Sequence, residues 1–220
     1  MPTARSIYAM KNDGEKIRRL ITVLRGPGGC AWDRRQTLRT LAPLLIEEAY
    51  EVVDAIERKS PRMFNEEIGD LLFLVMTLFA CAEDTDWARY RSVIARTARK
   101  YITQHPHVFE ARRNMTPGQI LAAWEKRKAA SGNPFDRVPK SLPALYQAKR
   151  IYDKAHRLGL LDVRPRRPEK DARAGGRKLL GMVRAAAGQG VDLETALRAE
   201  IRALRRRLGG RAARTGGRRR

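Results

Sequence analysis

The chain has 220 residues, enough for one large domain or two small ones with a real hydrophobic core. Its 43% hydrophobic and 32% charged residues exclude a disordered chain. The net charge of +22 invites a nucleic-acid partner, but residues 164–220 alone hold 18 basic and five acidic residues, leaving only +9 for residues 1–163.

No apolar run reaches the roughly 18–20 residues that span a bilayer; the longest, Leu71 to Ala82, is broken by Thr77. The N-terminus lacks an apolar signal core, so nothing suggests export, and a cytoplasmic protein with no membrane partner is expected. Cys30 and Cys81 have no metal-ligand spacing and read as free thiols. No stretch alternates apolar and polar residues for long, so the expected class is all-α.

The first helix is expected from Lys11 to Leu24, with Ile17, Leu20, Ile21 and Leu24 on one face. Arg25-Gly-Pro-Gly-Gly29 stops it, and a loop carries Cys30-Ala-Trp-Asp33. The second helix, Thr40 to Lys59, opens with Thr40 as cap and Pro43 in its first turn. Ser60-Pro61 breaks it before a third helix, Arg62 to Glu83, and a fourth, Trp87 to Gln104. Thr116-Pro-Gly-Gln119 is a capping-box pattern that starts a helix to Ala130. A further helix, Leu142 to Leu158, stops at Gly159. Beyond Asp162 the composition turns to Arg, Ala and Gly with no aromatic residue.

The chemistry concentrates in Glu47-Glu48-Ala-Tyr-Glu51 and Glu67-Ile-Gly-Asp70. Side chains three apart on a helix are neighbours, so Glu48 and Glu51 can address one spot, and Glu67 and Asp70 another. The apolar face of the second helix is expected to hold Leu41, Leu45, Ala49, Val52 and Ile56, with Glu48 on its border. Glu67 is in line with Leu71, Leu74 and Leu78, on the stripe facing the core. Inward carboxylates are costly unless paired or metal-bound, and no Lys or Arg stands within a turn of Glu48 on its face. Two antiparallel helices offering four carboxylates make an all-oxygen site for Mg²⁺, with Mn²⁺ as a substitute. The competing reading is a solvated acidic face.

Gly29-Cys-Ala-Trp-Asp-Arg-Arg-Gln-Thr37, Glu47-Glu48-x-x-Glu51, Glu67-x-x-Asp70, His105-Pro-His-Val-Phe109 and Trp124-Glu125-x-x-Lys128 follow one another in an order that resembles the MazG family. The resemblance covers residues 13 to 162. It implies a helical bundle with a four-helix core, usually a homodimer, that cleaves nucleoside triphosphates to monophosphate and pyrophosphate with Mg²⁺. It also implies Glu48, Glu51, Glu67 and Asp70 as metal ligands, with Lys100, Trp124 and Lys128 near the substrate. For the two lysines the alternative is a solvated helix position, and for Trp124 a place in the core. Glu47, one residue off the ligand set, is placed to orient or deprotonate the attacking water, or is an ordinary exposed Glu. Trp32 and Asp33 belong to a family loop that either anchors or contacts substrate, and His105 and His107 read as structural. The family's usual Pro is Ala31 here, its Asn-Glu pair is Ala98-Arg99, and its arginine pair is Thr103-Gln104.

Full-length relatives carry two such domains in tandem. Here residues 163–220 resemble only the last two helices of a second one, with Gly176 in register with Gly69. The E-x-x-D pair has become Ala174 and Arg177, so a non-catalytic remnant ending in a flexible basic tail is expected. The alternative functions are a nucleic-acid-binding or nucleotide-binding regulator that uses this basic region. Without aromatic residues to stack on bases, such nucleic-acid binding would be weak and salt-sensitive.

Overall fold

The computed structural model describes residues 4–110, 113–129, 133–161 and 168–217; the side chains of 122, 125–129, 168–171 and 215–217 are outside that description. The class is all-α: eleven helices and one 3₁₀ turn, and no strand, among the described residues. Packing divides the chain into two compact units, 1–109 and 110–220, whereas composition changes at Asp162.

The first unit is built on an antiparallel helical hairpin, α4 (Leu38–Glu57) and α5 (Pro61–Asp84). Thr37, not Thr40, caps α4. Thr40 is the third helical residue, and the two exchange hydrogen bonds, Thr40 N to Thr37 Oγ1 at 3.2 Å and Thr37 N to Thr40 Oγ1 at 2.9 Å. The pattern is a capping box in which a second Thr replaces the usual Glu, which is why the start lies two residues earlier than expected. The hairpin turn is only three residues long. Lys59 adopts a left-handed conformation (φ 52°), Ser60 N returns to Ala55 O at 3.1 Å, and Ser60 Oγ accepts from Met63 N at 3.3 Å. One residue thus closes α4 and caps α5, with Pro61 at the first helical position.

Leu41, Leu74 and Cys81 form the buried seam of the hairpin, flanked by Leu38, Leu44 and Leu78. Helix α2 (Asp13–Arg25) packs on α5, preceded by the short α1 (Ala4–Tyr8). Between them in sequence and α4 lies α3 (Ala31–Arg35), a single helical turn where the sequence suggested a loop. Helix α6 (Tyr90–Gln104) meets α5 at its start: Tyr90 N donates to Glu83 Oε1 at 2.9 Å and its ring sits edge-on to Phe79, 5.2 Å between centroids. A one-turn helix α7 (Pro106–Phe109) ends the unit.

The second unit contains α8 (Pro117–Ala129), the 3₁₀ turn Pro134–Arg137, α9 (Ala144–Arg157), α10 (Pro168–Gly188) and α11 (Leu193–Gly217). The Thr116–Gln119 capping box forms as expected, and Gly159 (φ 67°) ends α9 in a left-handed turn with Leu160 N bonded to Ala155 O at 2.9 Å. The core joins residues from both sides of Asp162: Phe135, Ile151 and Ala155 pack with Ile201 and Leu208 of α11. Helix α11 carries the basic segment as far as Gly217, and every third or fourth residue of its first half (Leu197, Ile201, Leu204, Leu208) faces that core. Arg218 to Arg220 lie outside the described residues.

Candidate metal centre

The α4–α5 seam changes character halfway along. From the open end it runs Leu41, Leu44 and Leu45, and then reaches Glu48 before continuing to Val52 and the buried Ala55. Glu48 therefore stands in the middle of the inward stripe, not on its border. Ala49 and Ile56, expected on that face, are exposed, because α5 covers only a narrow band of α4.

Opposite Glu48, α5 presents Glu67 and Asp70. One carboxylate oxygen from each of Glu48, Glu67 and Asp70 lies within 4.8 Å of the others, a spacing that brackets a single small ion. No other group of three acidic, His or Cys residues among the described residues is so placed. Glu51 is not in that tight group, but its charge acts on both Glu48 and Glu67.

The electrostatics are those of an uncompensated cluster. Glu48 is held above the ordinary carboxylate value of 4.5, first by burial and then by the charges of Glu51, Asp70 and Glu67. Glu67 is raised likewise, by desolvation and then by Glu51, Glu66 and Asp70. Glu48 Oε2 is buried and has no hydrogen-bond partner. A buried anionic oxygen left unpaired is costly unless something cationic meets it. The donor set is all carboxylate oxygen, with Glu48 and Glu67 half-buried and Asp70 exposed, and is free of thiolate or imidazole, which fits a hard divalent cation such as Mg²⁺ or Mn²⁺.

The other expected site residues fall elsewhere. Glu47 is exposed on the outer face of α4, lining a wide, shallow depression with Tyr50, Glu51, Val53, Asp54 and Glu57. Lys100 is exposed on α6 with its ammonium 5.6 Å from the Tyr101 ring centroid, and it makes no ion pair with the carboxylates among the described residues. Trp124 is half-buried on α8 in the second unit, and the Lys128 side chain lies outside the described residues. His105 Nδ1 sits 2.6 Å from Tyr101 O, and its ring lies between those of Tyr101 and His107, a local packing arrangement.

One organising residue escaped the sequence reading. Arg25, at the end of α2, donates to the carbonyls of Asp33 (2.6 Å) and Gln36 (3.2 Å) and pairs with Asp84 at 2.8 Å. It thereby ties α3 to the end of α5. Gly29 lets the connecting loop fold back: a Cβ there would stand 2.2 Å from Leu24 O. Asp33 is buried while Trp32 is 55% exposed, so Asp33 takes the anchoring position and Trp32 faces solvent. The only sequence signal for Arg25 was its place just before the Gly-Pro-Gly-Gly stop.

The MazG nucleotide pyrophosphohydrolase domain model matches residues 36–109, which include all four carboxylates. A nucleoside triphosphate pyrophosphohydrolase of Escherichia coli (strain K12) is 36% identical over 154 residues, 66% of this chain and 59% of that protein. An uncharacterised 26.1 kDa protein of Streptomyces cacaoi is 33% identical over 182 residues, 80% of this chain and 74% of its own. The chain belongs to the MazG family. A mazG-related protein of known structure from Thermotoga maritima is 24% identical, covering 52% of this MazG chain and 97% of its own, with a TM-score of 0.46. The chain spans less than two thirds of the first curated relatives it matches, 59% in the case of the E. coli protein. No helix among the described residues is long and apolar enough to cross a membrane.

Proposed function

We propose that this MazG chain is a cytoplasmic hydrolase that cleaves nucleoside triphosphates to nucleoside monophosphate and pyrophosphate with Mg²⁺, Mn²⁺ substituting. The observation that carries this reading is the buried, unpartnered Glu48 Oε2 within 4.8 Å of carboxylate oxygens on Glu67 and Asp70.

Glu48, Glu51, Glu67 and Asp70 would hold the cation. When bound, the metal would screen triphosphate charge and lower the pKa of a coordinated water. The residues do the rest. The hairpin turn at Lys59–Ser60 fixes the register that sets Glu48 against Glu67 and Asp70. The leucines at the open end of the seam keep bulk water from one side of the cluster, which strengthens each charge interaction there. Glu47, exposed beside Glu51, would orient or deprotonate the attacking water from the solvent side. Lys100, Trp124 and Lys128 would contact the nucleotide.

The finer proposals are a homodimer, a house-cleaning role on damaged or non-standard nucleotides, and a non-catalytic segment from 163 to 220. Helix α10 supports the last of these, since Ala174 and Arg177 stand where α5 has Glu67 and Asp70. The relative from E. coli bears the name of this activity, which supports the reaction class. The test is pyrophosphate release from a panel of triphosphates with Mg²⁺, comparing the full chain with Glu48→Ala. Pyrophosphate release that vanishes in Glu48→Ala is the expected result; release of single phosphate, or activity surviving in Glu48→Ala, refutes the proposal.

A further inference from the structure

Helix α11 uses its arginines in two ways. Arg198 and Arg205 turn inward, donating to Lys140 O at 2.6 Å and to Phe135 O at 2.6 Å. With Ile201 and Leu208 they fix the helix on the core of the second unit. Arg202, Arg206, Arg207 and Arg214 are exposed and make no ion pair among the described residues, whereas Arg198 pairs with Glu194 at 2.7 Å. From Thr195 to Gly217 the only acidic residue is Glu200.

At about 100° per residue the four outer arginines fall into two rows. Arg202 and Arg206 lie on one flank and Arg207 and Arg214 on the other, about 110° around the helix and about 18 Å from end to end. The ridge between the rows carries Ala199, Ala203 and Gly210, so the helix has a low crest and two cationic edges. Cations in two rows call for an anion whose charge also runs in two rows. The major groove of B-form DNA is such an anion: it is about 12 Å wide, admits an α-helix, and is edged by the phosphates of both strands. Because α11 is already folded on its core, docking costs no ordering of its backbone. The major groove of A-form RNA is too narrow for side chains to reach into. A lipid surface would find no large apolar side chain on this arc to bury. With no aromatic residue beyond Tyr152, single strands have nothing to stack on.

We propose that the outer face of α11 docks in the major groove of B-form DNA, with Arg202 and Arg206 on the phosphates of one strand and Arg207 and Arg214 on those of the other. The low crest reads no base, so binding is indifferent to sequence. This is a second activity, independent of the carboxylate site, and it can hold whether or not the hydrolytic reading does.

The test is fluorescence anisotropy of the full chain with a labelled DNA duplex of about 20 base pairs, from about 20 to about 200 mM salt. Four phosphate contacts predict a slope of log affinity against log salt of about −3.6 or steeper. Replacing one arginine from each row, Arg202→Gln with Arg207→Gln, should weaken binding by about tenfold per arginine and make the slope about two units shallower. Arg173→Gln with Arg177→Gln removes the same charge from α10 and should weaken binding by less than about threefold. All four side chains are exposed, so the melting temperature should stay unchanged in both variants. Equal weakening by the two pairs, or no binding of the wild-type chain at the lowest salt, overturns the proposal. So does an RNA duplex of the same sequence bound as tightly as the DNA.

Discussion

Each unit sets a charged side chain into its main helical seam, and the two are treated in opposite ways. In the second unit Arg205 is 6% exposed, donates to Phe135 O at 2.6 Å and to Gln147 Oε1 at 2.9 Å, and Gln147 in turn donates to Lys140 O and Leu142 O. In the first unit Glu48 has an oxygen buried without any partner, with three more carboxylates acting on it. A buried polar group whose bonds are all made holds structure together; one left open in a cluster of like charge is a site for something from outside. The difference gives each residue a distinct phenotype.

The largest contrast is between the two charge removals. Glu48→Gln should lower pyrophosphate release by at least about a hundredfold, more than loss of an outer partner of a metal ligand would. The metal-free protein should nonetheless melt higher, because an unpaired buried charge has gone. Arg205→Ala should do the reverse, costing about 3 kcal/mol in urea unfolding of the second unit by orphaning two buried acceptors. If both variants lose stability alike, the contrast is wrong.

Next in size is the response to pH. Because Glu48 and Glu67 are held above 4.5 in the folded chain, the folded state binds more protons than the unfolded state between that value and the raised ones. Stability without metal should thus fall as pH rises through that window and level off on either side. Glu48→Gln should flatten the curve, and a divalent cation should release protons on binding. Urea titrations at several pH values, with and without chelator, read this directly.

Two smaller effects probe how the site is positioned. Gly29→Ala should cost about 2 kcal/mol, since the new methyl group meets backbone carbonyls of α2 that cannot give way. Ser60→Ala should cost about 1 kcal/mol through the lost cap of α5. By loosening the turn that sets the hairpin register, it should also weaken metal binding slightly.

The acidic motifs and helix order could be read in the sequence because both depend on spacing along a single helix. Glu67 on the stripe of Leu71, Leu74 and Leu78 is the clearest case. What could not be read was which arc of a helix its neighbour covers. Helix α4 carries apolar residues around most of its circumference, with Ile46, Tyr50, Val53 and Ile56 all exposed, so the sequence pattern alone put Glu48 at a border. The cap at Thr37 was hidden because Thr40 is an equally good capping type, and only the reciprocal bond between them decides the start. Arg25 stayed invisible for a different reason: its role lies in carbonyls eight and eleven residues away and in Asp84, none of which a local pattern encodes. The union of Phe135 and Ile151 with Ile201 and Leu208 is likewise a contact across a change of composition that suggested a boundary.

The most direct test of the cation site is a calorimetric titration of Mn²⁺ into the metal-free full chain and into Glu48→Gln at neutral pH. Saturable binding to the wild-type chain, weakened by at least about tenfold in the variant, is the expected result for a site built on Glu48, Glu67 and Asp70. Equal binding to both proteins, or none to either, would contradict it.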